Sequence, residues 1–249
     1  MNNMGKIKLT PRLAGIAHEI ANLGALDIIY EIGADHAYLP IYSLQEGICS
    51  RAVATDISEK SLRRARSNAL KYNVSDKLDL FYGDGFSALT EYIAEKIVII
   101  AGIGGVNLAE IILAGAEKAR LASLLVLQPM HNHEALRKWL WESAFSIERE
   151  ILVSEGRRIY NLLFCVPVDS ALAYTQIEMF IGKNVIYNCK EDYIHFLAFT
   201  LTKIKNRLNG LNSSEKGIKS NSQYIEYSTL KSIAADIDAL IYRYTNSNK

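Results

Sequence analysis

The residues able to do chemistry stand where short apolar runs end. The run Leu26 to Ile32 carries Glu31 and leads into Gly33-Ala34-Asp35-His36-Ala37-Tyr38-Leu39-Pro40. A small residue where an apolar strand turns toward a helix lets a nucleotide-type ligand lie against the backbone. The pattern is not a dinucleotide fingerprint. Asp35 stands where its second glycine falls, and a carboxylate beside a pyrophosphate is repulsive. Acidic groups at such a strand end suit a ligand with a cationic amino-acid portion. The same residues also fit an ordinary strand-to-helix turn with Asp35 as the helix cap.

A second run ends at Asp56, 23 residues after Gly33. At that spacing an acidic side chain reaches the ribose hydroxyls of an adenosine lying across the strand ends. Ile57 follows and joins the same candidate cofactor set, while Ser58 suits the cap of the next helix. A third run ends in Gly83-Asp84-Gly85, where a carboxylate between glycines can accept from an exocyclic amine; a tight turn uses the same residues. Ligands of parallel sheets bind outside the carboxyl ends of the strands, so Glu31/Gly33, Asp56 and Asp84 are expected to converge on one adenosine. With no phosphate-binding loop in the chain, the adenosine cofactor that fits is S-adenosylmethionine. A fourth run delivers Ala101-Gly102-Ile103-Gly104-Gly105 and a fifth Gln128-Pro129-Met130-His131. Ala101 and Gly102 are expected beside the methionine portion and the acceptor, with Gly104-Gly105 opening a helix.

These positions need a scaffold, and the patterning supplies one. Strand-length apolar runs at Leu26 to Ile32, Ala52 to Ile57, Leu78 to Tyr82, Ile97 to Ala101 and Leu124 to Leu127 alternate with helical spacing over Ser58 to Tyr72, Gly85 to Ala94, Gly105 to Lys118 and His133 to Phe145. Alternation of this kind predicts a parallel α/β sheet with helices on both faces. Ser146 to Val153 and Ile159 to Val166 predict an antiparallel edge hairpin. An opening helix is expected over Pro11 to Asn22, with Thr10 at the cap and Pro11 in its first turn. Apolar residues recur at steps of three and four from Tyr193 to Leu211 and from Tyr227 to Tyr244, predicting an antiparallel helical hairpin joined by the polar stretch Asn212 to Ser222. The expected division is a catalytic domain over residues 1–168 and a helical hairpin over 169–249.

Composition excludes several classes. The 249 residues are 49% hydrophobic and 22% charged, with 28 Lys+Arg against 27 Asp+Glu, so the chain is neither disordered nor bulk-basic. No apolar run is long enough to span a membrane, and Met1 to Lys8 resembles no secretory leader. Cys49, Cys165 and Cys189 match neither a disulfide framework nor a zinc site, and no metal is expected. A cytoplasmic protein is the expectation, with no residue pattern that fixes its oligomeric state beyond being compatible with a monomer.

The string Glu31-Ile-Gly-Ala-Asp-His-Ala-Tyr-Leu-Pro40, with Ala101-Gly-Ile-Gly-Gly105 and Leu127-Gln-Pro129, resembles the bacterial TrmK family, the tRNA adenine-22 N1-methyltransferases. The resemblance extends through Arg12, Gly83-Asp84-Gly85, the Arg137-Lys-Trp-Leu140 helix and the edge hairpin. Family members commonly have Asp where this chain has Glu31, and many have Asn where it has Met130. The resemblance implies a class I, Rossmann-like S-adenosylmethionine-dependent methyltransferase sheet, a coiled-coil-like C-terminal hairpin, and tRNA as partner. It also implies that Asp35 is catalytic. Arg12 is then a candidate for the methionine carboxylate, with a solvated first-turn arginine as the alternative. His36, Tyr38, Gln128 and Pro129 are candidates for the substrate base, although a backbone-bonded His36 and a packed Tyr38 are equally in keeping with their positions. His131 and His133 have no metal-site spacing and read as polar groups of the loop.

Between Gln176 and Lys249 ten Lys/Arg face seven acids, and the densest group, Lys203, Lys205 and Arg207, is a candidate phosphate grip, although solvated helix faces carry similar charge. Two other readings stay open on the residues alone: a class I methyltransferase of a small molecule or protein, and a non-catalytic S-adenosylmethionine-binding module.

Overall fold

The computed structural model describes residues 5–89, 96–187, 190–213 and 220–246. Helix α1 (Pro11–Ala21) precedes β1 (Leu26–Ile32), followed by α2 (Tyr38–Gln45), β2 (Cys49–Asp56), α3 (Glu59–Lys71) and β3 (Leu78–Tyr82). After a 3₁₀ turn at Gly85–Ala88 come β4 (Ile97–Ile103), α4 (Gly105–Ala114), α5 (Ala116–Leu121), β5 (Leu124–Pro129) and α6 (His133–Glu142). The chain closes with β6 (Phe145–Glu155), β7 (Arg158–Pro167), α7 (Gln176–Ile181), β8 (Val185–Ile186), α8 (Lys190–Ser213) and α9 (Asn221–Asn246).

The strands form one sheet in the order β3-β2-β1-β4-β5-β7-β6-β8. The first five are parallel, β7 runs antiparallel to both β5 and β6, and β8 joins β6 in parallel. Successive side chains of a strand point to opposite faces, and the core divides accordingly. Ile29, Ile99 and Val126 pack with α1, α2 and α3, whereas Ile28, Tyr30, Val98, Ile100, Leu125 and Leu127 pack with α4 and α6. Burial on both faces explains why these strands are apolar without alternation. A third cluster joins α8 and α9 to each other and, through Leu152 and Ile181, to the sheet. Tyr193 near the start of α8 meets Tyr244 near the end of α9, and Arg207 meets Glu226 near its start, so the two helices are antiparallel.

Several elements depart from the patterning. The helix expected over Gly105 to Lys118 breaks at Gly115, a poor helix former, where the Phe86 side chain leaves no room for a Cβ, which would stand 2.3 Å from Phe86 Cβ. Of the helix expected over Gly85 to Ala94, a 3₁₀ turn ends at Ala88, and residues 90–95 lie outside the described residues. The helix from His133 stops at Glu142 because Ala144 takes φ +57°, which frees Phe145 to open β6. Beyond residue 168 the chain first adds α7 and an eighth strand to the sheet, neither of them expected. Strand β8 is two residues long, too short for any periodicity, but α7 carried a readable signal. Thr175 and Glu178 form a capping box, each side chain bonding the other's backbone N–H. Part of the polar stretch Asn212 to Ser222, residues 214–219, lies outside the described residues, as does Cys189.

Candidate active site

The strand order reverses between β1 and β4, and in such sheets the crevice for a ligand opens at the carboxyl ends of the two strands flanking the reversal. Glu31 lies at the end of β1, Asp56 at the end of β2, Asp84 just beyond β3 and Gly102 near the end of β4. The parallel registers Glu31↔Ala54 and Thr55↔Phe81 bring these ends to one level.

After β1 the chain makes a tight loop. Gly33 takes φ +77°, a left-handed conformation easy only without a Cβ, and its N–H donates to Thr55 O at 2.8 Å. Asp35 and Ala37 also hold positive φ, at 44° and 54°, which side chains other than glycine rarely accept. Asp56 holds the first: its Oδ2 accepts the Asp35 N–H at 3.0 Å, while its Oδ1 accepts the Ser58 N–H at 2.8 Å; the Ala37 N–H donates to Ala34 O at 2.7 Å. Asp56 thus pins the loop as well as facing the crevice. Ser58 caps α3 through its hydroxyl, as expected, whereas the Thr10 side chain makes no cap bond to α1. Asn68 donates to the His36 carbonyl at 3.0 Å, and the His36 and Tyr38 rings stack with centroids 5.0 Å apart. The Asp35 carboxylate is solvent-facing. It stands between His36 Nε2 at 3.6 Å and Arg64 Nη1 at 3.7 Å. Sequence reading missed Arg64, since one arginine among the several of α3 carries no distinguishing pattern.

Glu31 is the unusual group. It is buried, and its Oε2 has no hydrogen-bond partner among the described residues. Burial pushes its carboxyl up to about 8, with Asp56 and Asp35 adding to the rise and Arg12 opposing it. The Arg12 guanidinium lies over the Tyr160 ring at 5.9 Å, and among the described residues its side chain meets a single hydrogen-bond acceptor, Gln128 Oε1 at 2.8 Å. A buried carboxyl with one oxygen unpartnered among the described residues, beside a guanidinium with donors to spare, matches a zwitterion, ammonium toward Glu31 and carboxylate toward Arg12. Further along the crevice Ile57 is 66% exposed, an apolar surface beside Asp56 suited to a purine face, and Asp84 is exposed at the end of β3.

At the other wall Gly102 takes φ +79° and Ala101 is half-buried. Gly104 caps α4, and both Gly104 and Gly105 are packed against the loop after β5; a Cβ on either would come within 2.4 Å of His131 or Asn132. Gln128 and Pro129, expected at the substrate base, are buried at the end of β5, and the Gln128 amide bonds to Arg12 of α1, to Gly102 of β4 and to its own following carbonyl.

A second concavity of about 530 Å³ lies between α8, the loop after β5 and the β6–β7 turn. Lys203 and Arg207, four residues apart, face it from α8, and Arg157 and Arg158 face it from the turn. Lys205 is not among its lining residues; it pairs with Asp238 of α9 at 3.2 Å, two positions being about 200° around a helix. Sequence reading missed Arg157 and Arg158, though adjacent arginines at a hairpin tip are a visible cationic signal. His133, expected as a polar loop group, is held far down at about 3 by burial together with Arg137 and Lys203, so it stays neutral. Tyr160 lines this cleft and also lies beneath Arg12, so the crevice and the cleft share a wall. Among the described residues no three His, Cys, Asp or Glu side chains gather as a metal-ligand set, and no helix is long and apolar enough to cross a membrane.

Known proteins share this scaffold. The family described as "Methyltransferase domain" matches residues 9–163. The chain is 31% identical over 182 residues to the tRNA (adenine(22)-N(1))-methyltransferase of Bacillus subtilis, covering 73% of this chain and 75% of that protein. Among solved structures it is similar to a protein in the NADB-Rossmann superfamily from Streptococcus agalactiae, with TM-score 0.74, 26% identity, and 95% and 98% of the two chains covered. It is also similar in fold to the B. subtilis M1A22 tRNA methyltransferase TrmK, with TM-score 0.73, 21% identity, and 96% and 99% covered.

Proposed function

We infer the reaction from one premise: the chain belongs to the Methyltransferase domain family and, within it, to the tRNA (adenine(22)-N(1))-methyltransferases. It methylates N1 of adenine 22 of tRNA with S-adenosylmethionine as methyl donor. The observation that carries the cofactor on this chain's own residues is the buried Glu31 carboxyl beside Arg12 at the end of β1, its Oε2 without a hydrogen-bond partner among the described residues.

The residues divide the cofactor between them. Glu31 receives the ammonium and Arg12 the carboxylate of the methionine portion. Gly33 leaves room for the ligand against the backbone, and Asp56 accepts from the ribose hydroxyls with the lone pairs its two backbone bonds leave over. Ile57 and the Gly83-Asp84-Gly85 turn bracket the adenine, and Ala101-Gly102 form the wall nearest sulfur. When bound, S-adenosylmethionine would supply a sulfonium-activated methyl for in-line attack by the adenine N1 lone pair, the carbon–sulfur bond breaking to leave S-adenosylhomocysteine. No covalent enzyme intermediate is needed, so the chain contributes chiefly position and charge. Asp35 stands at the mouth of the crevice, where its carboxylate stabilises the positive charge that methylation leaves on the adenine or accepts a proton from N6. Arg64 and His36 hold that carboxylate, and Tyr38, stacked on His36, offers a face for the extruded base. The tRNA backbone lies across the cleft between α8 and the β6–β7 turn, on Lys203, Arg207, Arg157 and Arg158.

The test uses purified protein, S-adenosylmethionine and an unmodified tRNA transcript with adenine at position 22. Reverse transcription is expected to stop at that base, and nuclease digestion to yield 1-methyladenosine. Clear cofactor binding with no stop on a panel of such tRNAs would overturn the reading and return the chain to a small-molecule methyltransferase or a non-catalytic binding module.

A further inference from the structure

Gln128 is fully buried at the carboxyl end of β5. Burying a primary amide is unfavourable unless its polar atoms are bonded, and here each is. Its Oε1 accepts from Arg12 Nη1 at 2.8 Å and from the Gly102 backbone N–H at 3.1 Å. Its Nε2 donates to Pro129 O at 3.1 Å and approaches Met130 Sδ at 3.5 Å, which fixes which way the amide faces. One oxygen therefore ties α1 and the turn of β4 to β5.

The other restraints on Arg12 are few. Its backbone N–H donates to Glu155 Oε2 at 3.1 Å, its guanidinium lies over Tyr160, and a Cβ on Gly102 would approach Nη1 to 3.9 Å. A guanidinium carries five donors on a long flexible stem, and among the described residues Gln128 supplies the one acceptor that its side chain meets. The direction of the remaining donors is set by that bond.

We propose that Gln128 is a positioning residue for the amino-acid end of the cofactor: it turns Arg12 so that the unused N–H groups face the α-carboxylate, and holds the Gly102 turn against them. The proposal rests on the S-adenosylmethionine reading above. It gives Gln128 a part in the reaction without touching the tRNA base. Its consequence is selective: removal of Gln128 weakens ligands that carry the carboxylate and spares those that lack it.

The experiment measures binding of S-adenosylhomocysteine and of 5′-methylthioadenosine, which lacks the amino-acid end, to the full chain and to Gln128→Met, Arg12→Ala and the double variant. Met keeps the volume of Gln128 and removes its bonds; Gln128→Ala serves as the second variant if Met does not fold. The expected result is a loss of about tenfold for S-adenosylhomocysteine and less than twofold for methylthioadenosine. The double variant is expected to be no weaker than Arg12→Ala alone. Equal losses for both ligands, additive losses in the double variant, or no loss would each overturn the proposal. Failure of the unmodified protein to bind either ligand would overturn the cofactor reading itself, and with it this proposal.

Discussion

Asp35 sits at φ +44°, a conformation asparagine accepts nearly as readily as aspartate, so Asp35→Asn removes charge without forcing the loop. Turnover is expected to fall by about a hundredfold or more, with S-adenosylhomocysteine affinity unchanged within twofold. Single-turnover kinetics and calorimetry read the two quantities separately, and a near-normal rate would remove Asp35 from the chemistry. Glu31 makes a different prediction. With its carboxyl raised to about 8 in the free protein, it is mainly protonated at pH 7, and an arriving ammonium favours the ionised form. Cofactor binding at pH 7 should therefore release close to one proton, seen as a dependence of the binding enthalpy on buffer ionisation, and Glu31→Gln should abolish that dependence. The same shift acts on stability. Because the folded value lies above the unfolded one, the stabilising contribution is complete below about pH 4 and is lost as pH rises through 8. Unfolding in urea should show Glu31→Gln losing less stability than the native chain between pH 5 and 8.

Among the elements, the junction of the helical hairpin with the sheet depends on a buried polar knot. Arg137 of α6 is fully buried and pairs through two nitrogens with Glu150 of β6, which also accepts from Asn161 of β7. Arg137 Nη1 donates to the carbonyls of Met179 and Phe180 in the last turn of α7, the helix that leads into β8. The Arg137–Glu150 pair thus joins four elements, and Gly182 packs so closely that a Cβ would stand 2.6 Å from Glu150 Oε2. Removing one partner leaves the other charge buried and unmatched, which costs roughly 3–5 kcal/mol. Arg137→Met should lower the unfolding free energy by that order in urea titrations; a loss below about 1 kcal/mol would mean that solvent reaches Glu150 when its partner is gone.

At the scale of the whole molecule, the sheet and the hairpin together build the cationic cleft, with Arg157 and Arg158 from one and Lys203 and Arg207 from the other. For every phosphate that the protein ceases to neutralise, the slope of log K against log salt for tRNA binding is expected to fall by about one. Replacing Arg157 and Arg158 with Ala should weaken tRNA binding and lower that slope by about two, with S-adenosylhomocysteine affinity unchanged. Lys205→Ala should have a much smaller effect than Lys203→Ala, because Lys203 lines the cleft and Lys205 does not. Equal effects of the two lysines would show that the hairpin acts by general charge and not by the face it turns to the cleft.

Much of this protein was legible along the chain. The five parallel strands, the edge hairpin and the long helices follow from local periodicity. Glu31, Asp35, Asp56 and Asp84 stand out because acids at the ends of apolar runs have no packing role there. Such signals are local in sequence, and strand order carries them to one crevice. What tertiary structure alone decided is which side chains face that crevice and which are withdrawn from it. The Gln-Pro string could not disclose that Gln128 is fully buried, nor that Arg12 reaches its amide across 116 positions of chain. Arg64 was hidden for a related reason: exposed arginines are common, and only folding reveals which of them meets a carboxylate. Long-range approach is set by packing, and packing leaves no periodic trace in the residues it brings together.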